Sequence, residues 1–406
     1  MIAEGTRRLA SGERPRIGDL LLTPANAMRV ADQLSHLRGA AMKLGQMVSM
    51  DAGDMLPPEL SAILARLRSN AHHMPPEQLN RVLIAAWGQD WRRRFAHFQA
   101  TPVAAASIGQ VHRATLRDGR VLAIKVQYPG VKDSIDSDVD NVATLLRVSG
   151  VLPKELEIAT LLTEAKRQLH EEADYVREGA MLTRYRALVG DTPGLIVPAL
   201  EPALTTPSIL AMDFIEGSAI ETLETAPQEV RDRAMQALIA LVLRELLEWG
   251  VMQTDPNFAN YRWQAETGRL VLLDFGAARA VPEAIADGYR RLLQAGLAGD
   301  RDGVRDAAQA VGFLGAAVVD RHRATIDAMI DVILGVLNRP GPFDFGDRGF
   351  VGTLREEGMA IARDRANWHI PPADTLFVQR KISGTALLAA RMKARVDIRA
   401  MVAALI

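Results

Sequence analysis

Apolar positions recur at helical spacing near the start of the chain. Leu34, Leu37, Ala41, Leu44 and Val48 follow one another at steps of three and four and predict one apolar stripe. Gly39, Met42, Lys43 and Gln46 fall on the other side of that helix. "DMLPPEL" then breaks the pattern, and "PPEQLNRVLIAAWG" restarts a helix with proline in its first turn. Residues 1–99 therefore read as a helical N-terminal extension. At Phe98 the period changes. "VHRATLRDGRVLAIKVQ" is two short alternating segments joined by "RDGR", the pattern of a β-hairpin. Helical periodicity runs from about Val131 to Ala187 with a break at Pro153, and "SILAMDFIEG" reads as a buried strand ending in a turn. Beyond Ala226 the chain is mostly helical, interrupted by "GVMQTDPNFANYRW" and "RLVLLDFGAAR". Strands first and helices later predict an α+β protein, with a mixed lobe at 100–215 and a helical lobe at 216–406.

Composition narrows the function classes. The 406 residues suffice for two to three compact units. The chain has no cysteine, which excludes disulfides and thiolate metal sites. A net charge of −1 gives no basic surface on the nucleic-acid scale, so no nucleic-acid partner is expected. The strongest apolar run, Ala237 to Leu243, is followed by Arg244 and Glu245 and falls well short of the roughly 18 residues of a membrane span. With a polar N-terminus, these features predict a cytoplasmic protein.

Several short segments carry candidate chemistry. In "VLLDFG", Asp274 follows an apolar strand, where a carboxylate suits Mg²⁺ on nucleotide phosphates or simply makes a turn. In "TDPNFAN", Asp255 and Asn260 have the spacing of a kinase catalytic loop, although Asp, Pro and Asn also form ordinary polar loops. Lys125 stands inside the apolar strand "LAIKVQ", either solvated at an edge or paired with phosphates and a helix glutamate. "PVAAASIGQV" has the outline of a phosphate loop. Aligned on the kinase pattern G-x-G-x-x-G-x-V, Ala104, Ala106 and Gly109 take the glycine positions and Val111 the valine, with Lys125 at the expected distance. The loop, lysine, strand, Asp255/Asn260 and Asp274 occur in kinase order. Together they point to a nucleotide site in which Ala104, Ala105, Ala106, Ser107, Gly109 and Val111 cradle ATP or ADP.

"AAASIGQVHRA", "AIKVQYPGV", "KLGQ" at Lys43 to Gln46 and "EEADYVREGA" resemble the UbiB/AarF family of atypical protein-kinase-like proteins. The resemblance runs from about Leu34 to "VQRKISGTALLAARMKA". It implies a two-lobed protein-kinase-like fold, ATP or ADP with Mg²⁺, and a connection to ubiquinone biosynthesis. It also implies a regulatory role for Lys43 and Gln46, on a helix folded over the nucleotide site, and for the E-x-D residues Glu172 and Asp174. Glu178 matches the glutamate that pairs with Lys125, Met212 the gatekeeper, and the backbone of Asp213 and Ile215 the adenine-binding hinge. Asn260 and Asp274 match the metal ligands and Asp255 the catalytic carboxylate.

The catalytic loop departs from the family's H-A-D-P-H-P-G-N. Gln253, Asn257, Phe258 and Ala259 replace two histidines, a proline and a glycine. Binding of nucleotide and metal is therefore better supported than turnover. The tail carries Arg380, Lys381, Arg391, Lys393 and Arg395 among apolar residues, which suits either an anionic membrane surface or a closing helix. The expected activity is a low-turnover ATPase or phosphotransfer to a small or lipid-like acceptor, with a quinone-precursor ligand and peripheral membrane contact left open. A nucleotide-gated scaffold for lipid-biosynthesis partners is the alternative from another class. A small-molecule kinase of the aminoglycoside-phosphotransferase type is weaker, because "KLGQ" and the alanine loop argue against it.

Overall fold

The computed structural model describes residues 73–148, 159–255, 257–362 and 372–406. The segment carrying Lys43 and Gln46 lies outside them. The chain divides into two units, one running to Met181 and including Ala199–Phe214, the other comprising Leu182–Pro198 and Ile215–Ile406.

In the first unit, helix α1 (Pro76–Trp87) starts behind Pro75 and stops at Gly88, whose φ of 85° suits a residue without a Cβ. Leu79, Leu83 and Trp87 recur every fourth residue and form its buried face. Strands β1 (Phe95–Phe98), β2 (Ala104–Ala105), β3 (Gly109–Leu116) and β4 (Val121–Gln127) follow. Helices α2 (Val131–Val148), α3 (Ala159–Glu172) and α4 (Tyr175–Val189) come next. Strand β5 (Leu195–Ile196) belongs to the second unit, where it pairs with the strand at Arg269–Leu272, and the chain returns to the first unit as β6 (Ile209–Asp213). The antiparallel sheet has the order β1-β3-β4-β6, with β2 paired to β3.

Leu122, Ile124 and Val126 of β4 share a core with Leu79, Leu83 and Trp87. Strand alternation sends Ala123, Lys125 and Gln127 to the opposite face. Both faces are covered, so all three are buried as well. Phe95–Phe98 forms a strand inside the segment whose pattern reads as helical. Its rings join Trp87 and Trp91 in one aromatic cluster, and this packing outweighs the local pattern.

The second unit is mostly helical. Strand β7 (Ser218–Ala219) precedes helix α5 (Gln228–Arg244), which continues through a π-turn at Glu245–Trp249. Gly250, at φ 59°, reverses the chain into β8 (Val251–Gln253). Strands β9 (Tyr261–Gln264) and β10 (Arg269–Leu272) form an antiparallel pair, while β8 pairs with β11 (Ala278–Ala280). Helices α6 (Glu283–Ala298), α7 (Arg301–Ala310), α8 (Ala316–Leu337), α9 (Gly349–Ala362), α10 (Ala373–Met392) and α11 (Ile398–Ala403) complete it. Val242, Leu246, Met252, Tyr289, Val311, Phe377 and Val378 share one apolar core.

Candidate functional site

In the first unit the alanine-rich segment is the tip of a hairpin. Ala104 pairs with Val111 and Ala105 with Gln110, and the Ala106 N–H closes the turn on the Gly109 carbonyl at 2.9 Å. Among the described residues Lys393 is the one non-glycine with positive φ, so Ala106 needs no glycine-only conformation. Gly109 is different. A Cβ there would lie 2.3 Å from the Val126 carbonyl oxygen, so the close approach of β3 to β4 demands glycine.

Ser107 Oγ donates to Glu172 Oε2 at 2.8 Å, tying the hairpin tip to the end of α3. Asp174 accepts the Arg177 N–H at 3.0 Å and caps the start of α4. Lys125, on the β4 face turned away from α1, donates to both carboxylate oxygens of Glu178, at 2.9 and 3.0 Å. The pair is buried, with Lys125 8% and Glu178 1% exposed. The Lys125 ammonium also lies 5.0 Å from the centre of the Tyr175 ring. Met212 is buried opposite Ala123. The Asp213 N–H donates to the Ala199 carbonyl at 2.9 Å, and its carboxylate accepts the Ala199 N–H at 3.1 Å. That amide is therefore engaged within the protein. Ile215 begins the longer segment of the second unit.

In the second unit two loops are bound together by their backbones. The Thr254 N–H and hydroxyl both donate to the Ala277 carbonyl, at 3.2 and 2.8 Å, and the Leu273 N–H donates to the Asn260 carbonyl at 3.0 Å. These bonds bring Asp255, Asn260 and Asp274 into one neighbourhood. Asn260 Nδ2 donates to Asp255 Oδ2 at 3.4 Å, which leaves the amide oxygen as its donor atom for a cation. Asp255 accepts the Asn257 N–H at 3.2 Å, and Asp274 accepts the Gly276 N–H at 3.0 Å. Among the described residues no group of three or more His, Asp or Glu side chains could hold a metal ion. Mg²⁺ needs no such cage: one or two protein oxygens, completed by phosphates and water, suffice. Asn260 and Asp274 supply oxygen donors of the right hardness.

Sequence reasoning missed what lies behind this loop. Lys381, read as part of a basic tail for an anionic surface or a closing helix, is fully buried. Its ammonium donates to Gln253 Oε1 at 3.0 Å and to the Tyr261 hydroxyl. The membrane-surface reading therefore does not hold for this side chain. Glu245, equally buried, lies 3.9 Å from it and accepts from the Tyr185 hydroxyl at 2.7 Å and the Gln253 N–H at 3.0 Å. Burial pushes the Glu245 carboxyl up against the opposing pull of Lys381, and the Tyr185 phenol rises well above its ordinary range. The signal was present in α10. Phe377, Val378, Lys381, Thr385, Leu388 and Met392 form one buried helical stripe, with lysine at a core position.

The sequence matches the ABC1 atypical kinase-like domain over residues 66–308. It is 36% identical to "Atypical kinase COQ8, mitochondrial" of Saccharomyces cerevisiae, over 97% of this chain and 79% of that protein. It is 37% identical to "Atypical kinase coq-8, mitochondrial" of Caenorhabditis elegans, over 93% of this chain but only half of that longer protein. Among solved structures, the complex of Rv3197 with erythromycin from Mycobacterium tuberculosis superposes with a TM-score of 0.66 at 25% identity, covering 100% of this chain and 98% of that one. These matches establish the protein-kinase-like α+β fold. Among the described residues no helix is long and apolar enough to cross a membrane. With the domain match spanning more than half of the sequence and the yeast relative matching nearly all of it, the chain belongs to the ABC1 atypical kinase-like family, the UbiB/AarF group that its motifs resemble.

Proposed function

We propose that the protein binds ATP or ADP with Mg²⁺ and acts as a low-turnover atypical kinase, an ATPase or a phosphotransferase to a small or lipid-like acceptor. The observation that carries this reading is the buried Lys125–Glu178 pair. A lysine on a strand gains little stability from burial beside a carboxylate, because desolvation offsets the attraction. The pair does hold an ammonium at a fixed place beside the β2–β3 hairpin, where it suits the α- and β-phosphates. Asn260 and Asp274 would hold the cation, which supplies charge neutralisation on the phosphates. Asp255 would accept or orient the acceptor's proton. Ala104, Ala105, Ala106, Ser107, Gly109 and Val111 would line the phosphates. Met212, the Asp213 carbonyl and Ile215 would meet the adenine. The link to quinone or isoprenoid-lipid metabolism is supported by the family resemblance and by the COQ8 relatives, and peripheral membrane contact belongs to the same reading.

Lys43 and Gln46 would restrict access of peptide substrates, so generic peptides should be phosphorylated poorly. Efficient peptide phosphorylation would refute that part.

A scaffold gated by nucleotide is the second reading. The composition of the 253–260 loop favours it, since Gln253 is committed to Lys381 and neither histidine of the family loop is present. Phosphate release by the purified protein, measured against Asp274→Asn, separates the two. Release that the substitution abolishes supports the enzyme. Mg-nucleotide binding with no release supports the scaffold.

A further inference from the structure

We propose that Lys381 is a positioning residue for the 254–260 loop, clamping its two ends together from the buried side. The loop leaves β8 at Gln253 and enters β9 at Tyr261. β8 pairs with β11 and β9 with β10, so no strand ladder joins the two ends directly. The Lys381 ammonium does join them, through Gln253 Oε1 at 3.0 Å on one side and the Tyr261 hydroxyl on the other. Gln253 stands two residues before Asp255, and Tyr261 directly follows Asn260. Glu245 completes the clamp, because it faces Lys381 at 3.9 Å and holds the Gln253 N–H at 3.0 Å. The π-turn that carries Glu245 shifts the helix register at this point.

Stability alone is a poor reason for such a group. A buried ion pair can often be replaced by apolar side chains of similar volume without loss. What apolar packing cannot supply is a single donor directed at two chosen oxygens. To the Asn260–Asp255 bond and the backbone bonds of the loop, the clamp adds one ammonium carried by α10, more than a hundred residues downstream, that fixes both ends of the segment from behind. The part of this inference that concerns chemistry rests on the nucleotide-site reading. The clamp itself does not.

Two variants test it. Lys381→Met combined with Glu245→Gln removes both buried charges at nearly constant volume, and Tyr261→Phe removes one anchor and leaves the charges in place. Amide hydrogen exchange should accelerate at residues 254–260 by about tenfold or more in both, while α5 and β10 keep wild-type rates. With MgADP, the Mg²⁺ concentration for half-maximal stabilisation should rise about tenfold, whereas ADP affinity in chelator stays unchanged. Unchanged exchange in the loop overturns the proposal. So does acceleration spread evenly over the second unit, which would mark Lys381 as ordinary core. The exchange measurement needs no nucleotide, so it decides the clamp even if wild-type protein ignores MgADP, the result that would sink the nucleotide-site reading instead.

Discussion

Lys125 donates to both oxygens of Glu178 across 53 residues of sequence, fixing the middle of β4 to α4. Lys125→Met should cost about 3–5 kcal/mol, because it leaves the Glu178 charge buried without its ammonium. Adding Glu178→Gln should recover much of that loss. Both variants should lose nucleotide affinity. Chemical denaturation and nucleotide titration read the two effects separately, and a single variant as stable as wild type would contradict the pairing.

Asp274→Asn keeps an acceptor for the Gly276 N–H but removes the charge that a cation needs. The apo melting temperature should hardly move. Wild-type protein at a hundredfold excess of MgADP over Kd should gain about 2.7 kcal/mol, and the variant should gain little. An equal gain in both would remove Asp274 from the proposed metal site.

The residues of these two proposed sites were legible in the sequence to different degrees. The lysine strand, Asp255/Asn260 and Asp274 stand in local motifs whose spacing survives inspection one segment at a time. The β2–β3 hairpin was legible as a loop, but not the reason for Gly109, which is the Val126 carbonyl on a neighbouring strand. Lys381 and Glu245 are separated by more than a hundred residues, and although the α10 stripe marks Lys381 as a core position, nothing in the local sequence of either names its partner. Only tertiary packing turns them toward one another. Asp174 shows the reverse case, a motif residue that also has a plain local task as a helix cap.

Acidification should weaken the first unit through His112. Its Nδ1 faces the Gln99 carbonyl at 2.9 Å, and its Nε2 faces the Gln110 amide nitrogen, also at 2.9 Å. Gln110 is oriented by the Met74 N–H, which donates to its oxygen at 2.7 Å. The ring is thereby held as the neutral Nδ1–H tautomer, and a second proton would point at an amide N–H. Burial lowers the His112 pKa from its ordinary 6.5, the Gln99 contact partly opposes this, and His73 adds to the lowering. The unfolded chain therefore binds the proton more readily. The contribution to stability is complete above 6.5 and shrinks as pH falls below it. His112→Gln should flatten this part of the melting-temperature profile between about pH 7.5 and 5.5. A variant with the wild-type slope would show that His112 is not responsible.

Gly109→Ala and Ala106→Gly should behave oppositely. The first forces a methyl against the Val126 carbonyl and should cost about 1–3 kcal/mol or more. The second adds freedom at a turn that does not need it, costing at most about 1 kcal/mol. It should also loosen the hairpin tip and raise ATP affinity relative to ADP. Titrating both nucleotides checks this, and an unaltered ratio would mean that the alanines do not tune nucleotide choice.

The aromatic cluster of α1 and β1 gives the first unit an optical signal of its own. Trp87 and Trp91 are 8% and 3% exposed, and their indole N–H groups donate to the Leu204 carbonyl and Asn80 Oδ1. Replacing Trp249, Trp263 and Trp368 with Phe would leave these two as the only fluorophores of their kind among the chain's five tryptophans. Their emission would then shift to longer wavelength only when this unit opens, so its unfolding could be followed separately from that of the helical one.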